Sequence, residues 1–210
     1  MTKSRSKASL LLVFLALVVG GCATPSGQPA IAIAEPDIAG AYLPLGASFK
    51  LGLEKASGAA VVILPGIAVT NAHNLNLIDR KSLIGASRQS DLAFFRVGAG
   101  VPAATAPVVA GEPVTAYGQD ADAGLRIAHG AVTEIAKVPG YADSPYFIFD
   151  GDAGPGFSGG PVVDGAGKLV GITFGYRDQG GKRRIYAYDM ARVMAEFSAL
   201  SARSSTAGNF

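Results

Sequence analysis

The 210 residues, 49% hydrophobic and 16% charged, suffice for one cored domain, while a single cysteine and two histidines supply no metal-ligand set. The formal net charge of +2 rests on Lys3, Arg5 and Lys7; removing them takes it to −1, so nucleic acid is not an implied partner. With Cys22 as the one cysteine, no internal disulfide can form and stability must come from the core.

The first element is a targeting signal. Basic residues precede the apolar run Leu10 to Val19, which is too short to cross a bilayer, and small residues Gly20 and Gly21 precede Cys22. Residues 1–21 are thus expected to be a signal peptide. The stretch before Cys22 resembles a bacterial lipobox, in which the cysteine is lipidated and becomes the mature N-terminus. That resemblance implies a membrane partner through Cys22. Ala23, where an aspartate would imply inner-membrane retention, implies an outer-membrane anchor facing the periplasm. Residues 22–42, rich in Ala, Pro and Gly, read as a tether. Residues 43–203 then form one domain of about 160 residues, and 204–210 a disordered tail.

Short apolar runs separated by Gly or Pro fill the domain: Ala59 to Leu64, Ile67 to Val69, Leu92 to Val97, Val114 to Tyr117, Tyr146 to Phe149, Pro161 to Val163 and Leu169 to Phe174. This predicts an all-β fold. The 28 glycines, about twice the usual share, suit its many turns. Pro65-Gly66 and Gly165-Ala166-Gly167 mark hairpins. One helix is predicted near the end, capped by Asp189, with Met190, Val193, Met194, Phe197 and Leu200 on one face.

Within this pattern, Thr70-Asn71-Ala72-His73, Ser90-Asp91-Leu92-Ala93 and Gly156-Phe157-Ser158-Gly159-Gly160-Pro161 occur in that order. Singly, they read as a strand-end histidine, a turn carboxylate and a turn serine. Together they supply a nucleophile (Ser158), a base (His73) and a carboxylate to orient it (Asp91), with Gly156 leaving the N–H groups of Gly156 and Ser158 able to converge on an oxyanion. The order His, Asp, Ser separates this set from the subtilisin and hydrolase-elbow arrangements.

At these residues the chain resembles the trypsin/chymotrypsin-fold serine proteases. Gly111 to Gly118, Gly130 to Ile135 and Asp150 to Gly171 narrow the likeness to bacterial HtrA-like protease domains, over about residues 57–190. The resemblance implies two six-stranded-type β-barrels with a C-terminal helix, catalysis in the cleft between them, a polypeptide substrate paired with Thr173-Phe174-Gly175, and no cofactor. The chain ends too soon after Ser158 for a PDZ module to follow. Oligomeric state is not implied.

Two departures stand out. His73 and Asp91 are 18 residues apart, short for the family, so the intervening loop and strands must be trimmed. Asp79 is the alternative carboxylate, but Asp91 heads the apolar strand and is preferred. Phe157 stands where digestive enzymes carry an aspartate that pairs with a freshly cut N-terminus, so activation by cleavage is not expected. For specificity, Asp152 sits at the offset of the Lys/Arg-binding carboxylate, whereas Asp150 matches the HtrA-like pattern and its preference for small aliphatic residues; the latter is favoured. His129 reads as a surface histidine, and Arg177, Lys182, Arg183 and Arg184 as a solvated hairpin. A catalytically silent peptide-binding module is the competing reading.

Overall fold

A computed structural model describes residues 26–48, 55–98, 100–137 and 145–207. The signal sequence and Cys22 lie outside these residues. The first described elements are a two-residue strand, β1 (Gln28–Pro29), and a short helix, α1 (Pro36–Ala41), which opens on proline and buries Ile38 and Ala41. Most of the expected tether is therefore docked on the domain. Its Ala/Pro/Gly composition conceals this because few large apolar residues anchor it: Ile38, fully buried, with Ile33 and Tyr42 partly buried against the same core.

The apolar runs become strands: β2 (Tyr42–Ser48), β3 (Lys55–Leu64), β4 (Ile67–Asn71), β5 (Leu83–Ser87) and β6 (Leu92–Arg96). They form one antiparallel sheet in the order β2-β3-β4-β6-β5. Gly66, at φ 74°, makes the β3–β4 turn. The remaining strands are β7 (Pro113–Gln119), β8 (Leu125–Lys137), β9 (Pro145–Asp150), β10 (Pro161–Asp164), β11 (Leu169–Gln179) and β12 (Lys182–Asp189). These six run β8-β7-β10-β11-β12-β9 and close where β9 pairs with β8, with β1 added along β8.

The all-β, chymotrypsin-like class with a C-terminal helix is thus realised, with six strands in the closed barrel and five in the first sheet among the described residues. The reason lies in the short span from His73 to Asp91, which has room for a 3-10 turn (Ala72–Leu77) and β5 only.

Wholly apolar runs are explained by two cores. Phe147, Phe149, Phe157, Val162, Val170 and Ile185 fill the closed barrel. Leu92, Phe94, Val61 and Val69 of the first sheet pack with Ile172 and Leu169 of the second unit. Each such side chain contributes about 1.5–3 kcal/mol through burial. Between the units, the buried Gln119 amide donates to Leu45 O and to Gly58 O (2.7 Å).

The C-terminal helix, α2 (Met190–Ala207), starts where predicted: Asp189 Oδ1 accepts the Arg192 N–H at 2.8 Å as an N-cap. Its apolar face packs across both units, against β11 and β9 as well as β5 and β6, with Phe197 5.3 Å from Phe94. The helix continues through Ala207, into the expected tail, of which residues 208–210 lie outside the described set.

Candidate active site

His73 lies in the 3-10 turn that follows β4. Because β4 pairs with β6 through Asn71 and Leu92, the residue before β6 is carried to the same end of the sheet. That residue is Asp91. Its Oδ2 is 2.8 Å from His73 Nδ1 and its Oδ1 accepts the His73 backbone N–H at 3.0 Å. Its carbonyl accepts from Ala72 N–H (3.0 Å) and Asn71 Nδ2 (3.1 Å). Four bonds thereby hold Asp91 at φ 49°, a left-handed conformation that aspartate tolerates better than most residues.

Asp79 is absorbed elsewhere, its carboxylate accepting the Lys81 N–H at 3.0 Å within an exposed turn. The side chains of His73 and Asp91 are 48% and 30% exposed, so the trimmed connection leaves the pair open to solvent. It borders a cleft of about 820 Å³ lined also by Leu75, Ile78, Leu83, Arg80 and Arg88.

Ser158 comes from the other unit and is bound to the His73 segment through its carbonyl. Asn74 Nδ2 donates to Ser158 O at 2.9 Å and to Thr70 Oγ1 at 3.0 Å, the Thr70 hydroxyl donates to Ala59 O at 2.7 Å, and Ala59 N–H reaches Ser158 O at 2.9 Å. Asn74, next to His73, carries no motif in the sequence, yet its amide ties the Ser158 carbonyl to the histidine-bearing turn. Gly159 fits this junction because it has no side chain: at φ 82°, a β-carbon would stand 2.1 Å from Ala59 O. Gly156, at φ 90°, would place one 1.8 Å from Gln119 O.

Among the described residues, the N–H groups of Gly156 and Ser158 donate to no acceptor, whereas those of Phe157 and Gly159 are bonded to Gly154 O (3.1 Å) and Thr173 O (2.8 Å). Two free donors on one turn can receive an oxyanion. Among the same residues, the Ser158 hydroxyl makes no hydrogen bond to the His73 ring. Histidine and carboxylate are thus assembled, with the serine tied alongside by its backbone.

The sequence matches the trypsin-like peptidase domain over residues 56–172, more than half of the chain. The chain belongs to that family. It is a serine protease of the trypsin fold. A search of curated proteins finds no match. Among solved structures, the Rv3671c protease from M. tuberculosis in its active form superposes with a TM-score of 0.65 at 19% identity, covering 83% of this chain and 88% of that one. The HtrA-type protease AlgW with tripeptide gives 0.65 at 19%, covering 80% and 62%. A serine endoprotease from Yersinia pestis gives 0.61 at 20%, covering 79% and 64%. The chain therefore spans less than two thirds of the latter two structures. At these identities the likeness is one of fold.

In the peptidase, Thr173 is buried and bonds back to Gly159 and Gly160, while Phe174 stacks on Tyr188 at 4.0 Å. The β11–β12 register shifts between Thr173 and Gly175, and a β-carbon on Gly175 would meet nothing within 4 Å among the described residues. Asp152 is exposed and uses its carbonyl to accept the Gly27 N–H at 2.9 Å. Asp150 ends β9, opposite Arg184. His129 is exposed beside Thr115 Oγ1 (3.1 Å). On the β11–β12 hairpin, Arg183 pairs with Asp178 (2.8 Å) and Arg184 with Glu134 (2.7 Å), holding the Asp178 carboxyl below its ordinary range. Among the described residues no group of His, Cys, Asp and Glu suits a metal ion, and no helix is long and apolar enough to cross a membrane.

Proposed function

We propose that the protein is a lipid-anchored cell-envelope serine endopeptidase working through His73, Asp91 and Ser158. The observation that carries this reading is the double contact of Asp91 with His73, through the ring Nδ1 and the backbone N–H. A carboxylate so placed fixes the tautomer with Nε2 free to accept a proton, and stabilises the imidazolium that results.

Ser158 Oγ attacks the scissile carbonyl while His73 takes its proton, and the N–H groups of Gly156 and Ser158 receive the oxyanion. His73 then protonates the departing amine, leaving an acyl-enzyme that water hydrolyses by the same steps. The Ser158–His73 hydrogen bond is the contact that substrate must draw in, as catalytic bonds are often long without substrate.

Extended polypeptide is the substrate class, because β11 runs on past Ile172, where its register with β10 stops, and that side of the strand around Gly175 can read main chain by strand addition. Thr173, Phe174 and Gly175 hold it. The exposed Asp152 supports a small aliphatic residue rather than Lys or Arg before the scissile bond. Anchoring through Cys22, on the outer membrane facing the periplasm, rests on the basic, apolar and small-residue order before Cys22 and on Ala23 after it. A fluorophosphonate probe tests the chemistry. It should label the wild type and spare Ser158→Ala; an unlabelled wild type would make this a silent peptide-binding module.

A further inference from the structure

Residues 26–29 are held on two sides. Gly27 N–H donates to Asp152 O at 2.9 Å. Arg126, on β8, spans the other side: Nε donates to Ser26 O at 2.9 Å and Nη2 to Gly27 O at 2.7 Å. β1 then pairs with β8 at Ile127 and Arg126, and Ala30 N–H reaches Leu125 O at 3.0 Å.

Gly27 is buried at φ 65°, where a β-carbon would lie 2.7 Å from both the Phe157 ring and Ile127 O. The Ser26 hydroxyl approaches Gly154 so closely that a β-carbon there would be 2.3 Å away. The segment thus covers the flank of the Asp152–Ser158 loop. It also helps enclose the fully buried Phe157, the residue between the two oxyanion donors.

The direction of those donors depends on this loop. Gly156 O accepts the Gln119 N–H (3.1 Å) and Gly154 O accepts that of Phe157 (3.1 Å), which fixes the inner side of the turn. The outer side is covered by Gly27 and Ser26, beside Arg183, whose Nη1 donates to Ala153 O at 3.4 Å. If the segment leaves, Asp152 O loses this donor and Phe157 loses a covering face, and a glycine at φ 90° can turn its peptide plane at little steric cost.

We propose that the uncleaved segment Ser26–Pro29, clamped by Arg126, is a positioning element of the active site: docked, it holds the Gly156 and Ser158 N–H groups toward the oxyanion. The proposal rests on the peptidase reading. Gly27 and Arg126 act through the loop, without touching substrate. Because Ser26 follows Cys22 by four residues, a lipid on Cys22 would be within about 14 Å of extended chain from this clamp. Release of the segment would then switch off a membrane-held enzyme.

The test uses the full-length protein in detergent, with Arg126→Ala and Gly27→Val measured beside wild type for peptide hydrolysis, fluorophosphonate labelling rate and melting temperature. The expectation is a kcat lower by about 10–100-fold per folded molecule, short of or comparable with loss of a whole oxyanion donor, with KM within about threefold. Labelling should slow in parallel, and Arg126→Lys should recover part of the rate. A lower melting temperature with wild-type kcat in the folded fraction would make the segment a stability brace and overturn the proposal. If Gly27→Val does not fold, Arg126→Ala decides alone. A wild type that neither hydrolyses peptides nor labels would overturn the peptidase reading itself, and this inference with it.

Discussion

Asn74→Ala isolates the bond that ties Ser158 to the histidine-bearing turn. The buried amide gives two hydrogen bonds, to Ser158 O at 2.9 Å and Thr70 Oγ1 at 3.0 Å. Truncation strands neither partner: Ser158 O keeps the Ala59 N–H at 2.9 Å, and the Thr70 hydroxyl still donates to Ala59 O at 2.7 Å. The expected cost is therefore that of two ordinary bonds, about 1–3 kcal/mol, without the larger penalty of an orphaned buried group. Asn74→Asp should cost more, because a carboxylate would present acceptors to a carbonyl that also accepts. In both variants kcat should fall more than KM rises, since the serine loses one of the two bonds on its carbonyl. Urea unfolding and steady-state peptide hydrolysis measure the two effects. A loss under about 0.5 kcal/mol with wild-type kcat in Asn74→Ala would refute the coupling.

Ser158→Ala and His73→Ala should each abolish peptide hydrolysis and give no further loss when combined, as parts of one unit; Asp91→Asn should be severe with an unchanged melting profile. Cys22→Ala should stop fatty-acid labelling and detergent-phase partitioning, and a soluble, unlabelled wild type would refute lipidation. Asp152→Ser should leave the ratio of cleavage after Val and Arg unchanged; a strong Arg preference lost on substitution would reverse the specificity assignment. Burial raises the Asp189 carboxyl above its ordinary value, only partly offset by the Arg192 N–H and charge, so the fold favours the neutral form and stability is lost as pH rises through the folded pKa. Asp189→Asn keeps the cap without the charge, so its melting temperature should gain on wild type between pH 4 and pH 7; a shrinking difference would contradict this.

The strands and the terminal helix were legible in the sequence because they follow from neighbours along the chain: apolar runs stopped by Gly and Pro, and an Asp189 cap before an apolar stripe. That Asp91 and not Asp79 heads an apolar strand was legible for the same reason, and sheet pairing then places Asp91 beside His73. Asn74 was not legible, because a polar residue after a histidine has no signature until the fold brings Ser158, 84 residues away, within hydrogen-bond distance. The segment 22–42 reads as a tether because its local composition favours no element. From Ser26 on it is held instead by Arg126 of β8, which bonds Ser26 O and Gly27 O, and by burial of Ile38, partners supplied only once the two sheets assemble. Local steric and burial preferences select the elements, whereas contacts across long loops form only after sheet pairing has repaid the entropy of closing them. The tertiary structure therefore decided which ordinary polar residues became parts of the site.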